Sequence, residues 1–244
     1  MNKSGMYMRR TLLFISCCLV AAFQVVRAQR IRENFDFDWQ FHLGECVEAV
    51  NPNYVPTQWE WEKVQLPHDW SIYLPFEVSA GGSSGYLPGG IGLYRKTIDI
   101  PQSYKGKRVS VVFDGIYHKA TVYVNGKKVG YHRYGYTSFE YDITDYLEFG
   151  KTNVLFVHVD HAEESRWYTG SGIYRHAWLQ ITDPIHVATW GTYITTPEIS
   201  EESANVNIVT SIVNSTNAEK QLKVVQTLVG KDGKSLKIDG KKVS

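Results

Sequence analysis

Apolar and polar side chains alternate along most of this chain, and the period is two. Phe35, Phe37, Trp39 and Phe41 are interleaved with Asp36, Asp38, Gln40 and His42. Successive side chains of a strand point to opposite faces, so this spacing predicts one strand with an apolar face and a wet face. Val109, Val111 and Phe113 repeat the pattern. So do Phe139, Tyr141 and Ile143, then Leu155, Val157 and Val159, then Ala177, Leu179 and Ile181. Ala120, Val122 and Val124 run into Asn125-Gly126, with Val129 and Tyr131 beyond. A type I′ turn needs positive φ at both central residues, which Asn-Gly tolerates, so a hairpin is predicted there. Asp114-Gly115 is a second turn pair. No stretch carries apolar residues at i, i+3, i+4 and i+7 over a helical length.

Many short strands separated by turn residues predict an all-β chain. An antiparallel β-sandwich is expected over residues 29–183. Pro184 marks a boundary. Past it, 187–195, 206–213 and 222–229 read as further strands. Asp232-Gly233 predicts a turn, with 235–238 returning. This second unit, 184–244, reads as an immunoglobulin-like β-sandwich. Such a fold needs about 100 residues and about seven strands. About four strands fit before Ser244, so the second sandwich is expected to be truncated, leaving a bare edge and an apolar face. The expectation is a longer gene product, or a fragment.

The first 28 residues are set apart from the fold. Lys3, Arg9 and Arg10 precede a short apolar run from Thr11 to Phe23, and Val26-Arg27-Ala28 ends in a small residue. That is the layout of a secretory signal peptide cleaved after Ala28, and the run is short for a membrane span. The rival readings are a lipoprotein signal using Cys17 or Cys18 and a retained anchor. A mature chain without membrane span is expected in the periplasm or outside the cell. Two of the 3 cysteines fall in the signal segment, so Cys46 is left with no intramolecular partner. The formal net charge of +1 gives no cluster of cations for nucleic acid to bind. Aromatics are plentiful, at 7 Trp, 16 Tyr and 10 Phe. Most fill a core, and the remainder offer flat faces to sugar rings.

Three segments stand out chemically. Ser165-Arg166-Trp167-Tyr168-Thr169-Gly170-Ser171-Gly172-Ile173-Tyr174-Arg175 joins two predicted strands. Arg166 carries a fixed fork of donors suited to paired hydroxyls, and Trp167 can stack on a ring. The plain alternative is a packed corner with Arg166 paired to Glu163 or Glu164. Pro67-His68-Asp69-Trp70 reads as a turn, with Asp69 capping it through its side chain. Gly81-Gly82-Ser83-Ser84-Gly85 and Pro88-Gly89-Gly90 lack the Lys and the helix that a phosphate loop needs, and read as a surface loop able to border a pocket. Retaining glycoside hydrolysis requires two carboxyl groups about 5–5.5 Å apart. Glu163 and Glu164 are neighbours and point apart on a strand, and nothing builds a site around Glu60 and Glu62. No catalytic residue, metal cluster or cofactor motif is therefore assigned; the 8 His are scattered. Asn214-Ser215-Thr216 matches the N-glycosylation pattern, which is common by chance.

Taken in order, these segments resemble a known family. Pro67-His68-Asp69-Trp70, Gly89-Gly90-Ile91-Gly92-Leu93-Tyr94-Arg95-Lys96, Phe113-Asp114-Gly115, Val122-Tyr123-Val124-Asn125-Gly126-Lys127, Gly130-Tyr131 and the 165–175 segment are similar to glycoside hydrolase family 2. Arg-Trp-Tyr ahead of Gly-Ser-Gly-Ile-Tyr-Arg resembles secreted bacterial enzymes of the β-galactosidase type. The resemblance implies a galactose-binding-like jelly roll, then an immunoglobulin-like domain, then a (β/α)₈ barrel holding the acid/base and the nucleophile. A barrel needs about 250 residues, so the barrel is expected on polypeptide not present here, and this chain alone is expected to be inactive. It further implies a β-galactoside or related oligosaccharide as ligand, with Arg166 on sugar hydroxyls and Trp167 or Tyr168 shaping the pocket wall. A stand-alone carbohydrate-binding sandwich and a purely structural module are the rival readings.

Overall fold

The computed structural model describes residues 28–162 and 166–236. Most of the segment expected to be a signal peptide, residues 1–27 with Cys17 and Cys18, lies outside the described residues, as do Glu163, Glu164, Ser165 and the end of the last predicted strand. Among the described residues there are twelve strands and short 3₁₀ turns. No helix among them is long and apolar enough to cross a membrane. In chain order the strands are β1 (Arg30–Asn34), β2 (Trp39–Leu43), β3 (Glu62–Val64), β4 (Gly90–Ile100), β5 (Arg108–Phe113) and β6 (Ala120–Val124). Then follow β7 (Lys127–His132), β8 (Phe139–Asp142), β9 (Lys151–His161), β10 (Ala177–Thr182), β11 (Ile185–Ile199) and β12 (Ala204–Asn214).

Ten of these form an all-antiparallel β-sandwich. One sheet runs β1-β10-β5-β8 and the other β3-β2-β4-β9-β6-β7, and neither contains β11 or β12. The inner faces meet in one apolar core. Trp39, Tyr94, Val109, Val111, Phe113, Val122, Leu155, Val157 and Ile181 all lie within it. The alternation at 109–113, 120–124, 155–159 and 177–181 faces this core as its period predicts. Asn125 and Gly126 take φ of 49° and 78°, and the hairpin β6–β7 forms where the pair predicts it.

β9 departs from simple alternation. Val154 and Phe156 are buried as fully as Leu155 and Val157. The cause is a cover on the outer face. The loop from Cys46 to Trp61 folds over β4 and β9, and Ala49 and Trp61 pack on Leu93 and Phe156. Arg95 on β4, itself buried, fastens that loop by donating to the carbonyls of Ala49, Pro52 and Tyr54 at 2.9–3.2 Å.

Of the single strand expected over 35–41, only the part from Trp39 forms. Asp38 has φ 58° and interrupts the extended chain, so β2 begins at Trp39. Phe37 is exposed, whereas Asp36, on the supposed wet face, is buried. Its carboxylate accepts from the Ala177 amide at 2.8 Å, Asn34 Nδ2 at 2.9 Å and His176 Nδ1 at 2.7 Å. Those donors compensate its desolvation. Sequence pattern also leaves out β1, whose Arg30, Arg32 and Glu33 carry no apolar period, and which is recruited by β10.

Beyond Pro184, β11 and β12 form an antiparallel ribbon. The strand predicted over 222–229 is not formed as a regular strand; Leu222 and Val224 are exposed. A strand needs a partner for its N–H and C=O groups, and the one bridge here, Val229 to Ser235, closes the predicted turn at Asp232-Gly233.

Replacing Asp36 with Ala strands the Ala177 amide in the core. The expected cost is about 1–3 kcal/mol of unfolding free energy, read by urea denaturation; a midpoint unchanged from wild type contradicts this role.

Candidate functional site

Gly90 pairs with His161, so the chain entering β4 and the chain leaving β9 emerge side by side from the same end of the sandwich. The first brings Pro67-His68-Asp69-Trp70 and the Gly-rich loop; the second brings residues 166–175. A dense set of hydrogen bonds ties them together. The His68 amide donates to the Ile173 carbonyl at 2.8 Å and the Trp70 amide to the Ser171 carbonyl at 3.2 Å. Asp69 Oδ1 accepts from the Ser171 amide at 2.9 Å and the Ser71 amide at 3.1 Å, the latter capping the 3₁₀ turn Trp70–Tyr73. Asp69 Oδ2 accepts from the Tyr168 hydroxyl. From the other side, Gly172 and Tyr117 exchange both backbone hydrogen bonds at 2.9 Å. Gly172 has φ 107°, and a Cβ there would stand 2.1 Å from the buried Tyr94 hydroxyl, so only glycine fits.

The loops enclose an open cleft of about 170 Å³. Its walls include Glu77, Ala80 and Ser84 from the Gly-rich side, His161 from β9, and Trp167 and Tyr168 opposite. Burial, followed by the hydrogen bond to Asp69, raises the Tyr168 hydroxyl well above its ordinary range, which keeps it a donor. Burial pushes His161 down to about 4, with nearby His118 adding to the effect. His161 is thus neutral at pH 7, with one ring proton. Ser71 Oγ donates to the Pro88 carbonyl at 2.7 Å, so the proton between Ser71 and Ser171, at 2.5 Å, comes from Ser171. His161 Nδ1 must then donate to Ser171 Oγ at 2.6 Å. That leaves Nε2 as an acceptor at the cleft, with Thr169 Oγ1 at 3.5 Å.

Of the three residues singled out by sequence, Trp167 and Tyr168 line the cleft; Arg166 is exposed and is not part of that wall. Arg166 has no hydrogen bond or ion pair to another described residue, while Glu163 and Glu164, its suggested partners, lie outside the described residues. Asp69 caps a turn, as its neighbourhood predicts, and also anchors Tyr168 across 99 positions of sequence. His161 is the residue sequence reasoning misses. It ends an ordinary strand, and its contacts with Ser171, Thr169 and Tyr117 all come from other segments of the fold. No group of three His, Cys, Asp or Glu able to hold a metal exists among the described residues.

Fold and cleft together define an all-β sandwich that presents an aromatic-walled, hydroxyl-rich recess on its connecting loops. The chain belongs to glycoside hydrolase family 2: the family pattern described as "Glycosyl hydrolases family 2, sugar binding domain" matches residues 29–184. It is 43% identical over 211 residues to beta-galactosidase BoGH2A of Bacteroides ovatus, covering 85% of this chain and 25% of that protein. A putative beta-glucuronidase of Formosa agariphila is 35% identical over 237 residues, covering 94% of this chain and 22% of its own. A crystal structure of a family 2 member from Bacteroides cellulosilyticus superposes with TM-score 0.73 at 39% identity, over 84% of this chain and 27% of that one. The chain therefore spans about a quarter of the length of the curated relatives it matches.

The two low histidines set an acid limit. Burial pushes His68, whose Nδ1 lies 2.8 Å from the Tyr94 hydroxyl, down to about 4 as well. Unfolded histidine titrates near ~6.5. Between those values the unfolded chain binds more protons than the folded one, so stability falls as pH drops from about 6.5 towards 4 and is unaffected by these groups above it. Melting temperatures across that window should decline less steeply in His161→Gln than in wild type. Equal slopes contradict the assignment.

Proposed function

We propose that this chain is the amino-terminal, sugar-binding portion of an exported, retaining β-galactosidase-type glycoside hydrolase. The barrel of the same protein, on further polypeptide, supplies the acid/base and nucleophilic carboxylates. Residues 1–28 act as a signal peptide that directs the product to the periplasm or beyond, and the ribbon β11–β12 begins an immunoglobulin-like sandwich. The cleft loops complete the subsite for the non-reducing sugar. Trp167 and Tyr168 give it a wall, and Arg166 donates to sugar hydroxyls.

The observation that carries this reading is the Asp69 clamp. It holds Tyr168 and Ser171, and so fixes the segment that ends in an exposed guanidinium and an exposed indole. A preorganised loop of donors and aromatic faces is what a sugar site requires. Among the described residues lining the cleft, Glu77 is the one carboxylate, whereas displacement needs two. A galactoside is favoured over a glucuronide because the relative named a beta-galactosidase is the more similar of the two, at 43% against 35% identity.

In the full-length gene product, Arg166→Ala should lower kcat/KM for p-nitrophenyl β-galactoside by about 10–100-fold, the equivalent of one or two charge-assisted hydrogen bonds. An unchanged kcat/KM removes Arg166 from the sugar site. The 244-residue chain given the same substrate should release no nitrophenol above background, and turnover there refutes a barrel-borne catalytic pair.

A further inference from the structure

Beside the cleft lies a second concavity of about 300 Å³, walled by Tyr117, Arg133, Tyr134, Gly135 and Tyr136 among others. The rings of Tyr134 and Tyr136 meet edge to face at 5.6 Å, and Tyr117 lies 5.4 Å from Tyr136. Tyr134 and Tyr136 nevertheless keep 59% and 41% of their surface exposed. They belong to no part of the sandwich core, and a cluster of open aromatic rings marks a recognition surface. The turn that carries them is held in place. The Tyr174 hydroxyl donates to the Gly135 carbonyl at 2.9 Å, and the Lys119 amide donates to the Arg133 carbonyl at 3.3 Å.

Two contacts make this groove continuous with the cleft. Trp167, which lines the cleft, donates its indole N–H to the Tyr136 hydroxyl at 3.2 Å. His161, also in the cleft wall, meets the Tyr117 ring edge-on at 4.9 Å. The same two side chains therefore stand between both hollows.

We propose that the Tyr117–Tyr134–Tyr136 groove is a glycan subsite that stacks further sugars of an oligosaccharide whose terminal residue sits against Trp167 and Tyr168. This rests on the sugar-binding reading above and extends it to a substrate class: a β-linked oligosaccharide, not a single galactoside. Tyrosine suits the task because it offers a flat apolar face to sugar C–H bonds, loses little rotamer freedom and keeps a hydroxyl for hydrogen bonding. Arg133 adds a fork of donors for paired hydroxyls. The size favours a glycan over a protein. A stable protein contact buries about 800 Å² per partner, whereas a hollow of about 300 Å³ holds only a ring or two.

The test is calorimetric titration of the 244-residue chain with methyl β-galactoside and with β-1,4-galactotetraose. The tetraose should bind about tenfold more tightly or better. Tyr134→Ala, which removes the more exposed ring, should lose most of that gain while its affinity for methyl β-galactoside stays the same. Tyr134→Phe, which keeps the ring, should retain most of it. Equal affinities for the two ligands, a gain that survives Tyr134→Ala, or no tetraose binding overturns the proposal. An Arg166→Ala variant that loses nothing towards either ligand, alongside a Tyr134→Ala variant that loses the tetraose gain, counts against the Arg166 role and upholds the groove.

Discussion

The Asp69 carboxylate joins two stretches of chain that lie about a hundred residues apart. One oxygen receives the amides of Ser71 and Ser171, and the other receives the Tyr168 hydroxyl. Those donors lie in the two connecting segments that meet at this end of the sandwich. Loops carry little burial energy of their own, so their order has to come from satisfied polar groups. Asp69 is itself set in place by its neighbours. Trp70 and His68 are buried against Tyr94, and their amides are tied to 171–173. The cleft therefore takes its shape from the core beneath it.

The same economy appears on the outer face of the larger sheet. Arg95 is buried by a loop and gives its Nη1 and Nη2 donors to that loop's carbonyls, while its Nε stays buried without a hydrogen-bond partner among the described residues. Burying a guanidinium is costly unless its hydrogen bonds are made. The loop in turn shields Leu93 and Phe156, so β4 and β9 are covered on both sides. Those two strands carry the cleft at their shared end, and a rigid pair makes a stable base for it.

The groups at that end are hydrogen-bonding and aromatic. Neutral His161 offers an acceptor, Tyr168 remains protonated, and Trp167 presents an indole face between the cleft and the tyrosine groove. The sandwich is the part of the chain that the family 2 pattern matches, and beta-galactosidase BoGH2A is about four times as long as the length matched here.

Sequence by itself determined the strands whose two faces differ. The alternation at 109–113, 120–124, 155–159 and 177–181, with the Asn125-Gly126 turn, follows from the pleat and from φ alone, both of which are local properties. The ordered motifs likewise sufficed to place the chain in its family. Tertiary structure decided the rest. Asp36 sits on a polar position of the pattern and is buried, because the Ala177 amide and the His176 ring, about 140 residues away, satisfy it. β1 has no apolar period and exists because β10 offers it an edge. The stretch 222–229 has the residues of a strand and, paired only at its end where Val229 bridges Ser235, does not form one. Asp69, His161 and Tyr136 acquire their roles from Tyr168, Ser171 and Trp167, which no local spacing brings near them. Local periodicity reports which face is apolar; it carries no information about which distant group completes a hydrogen bond.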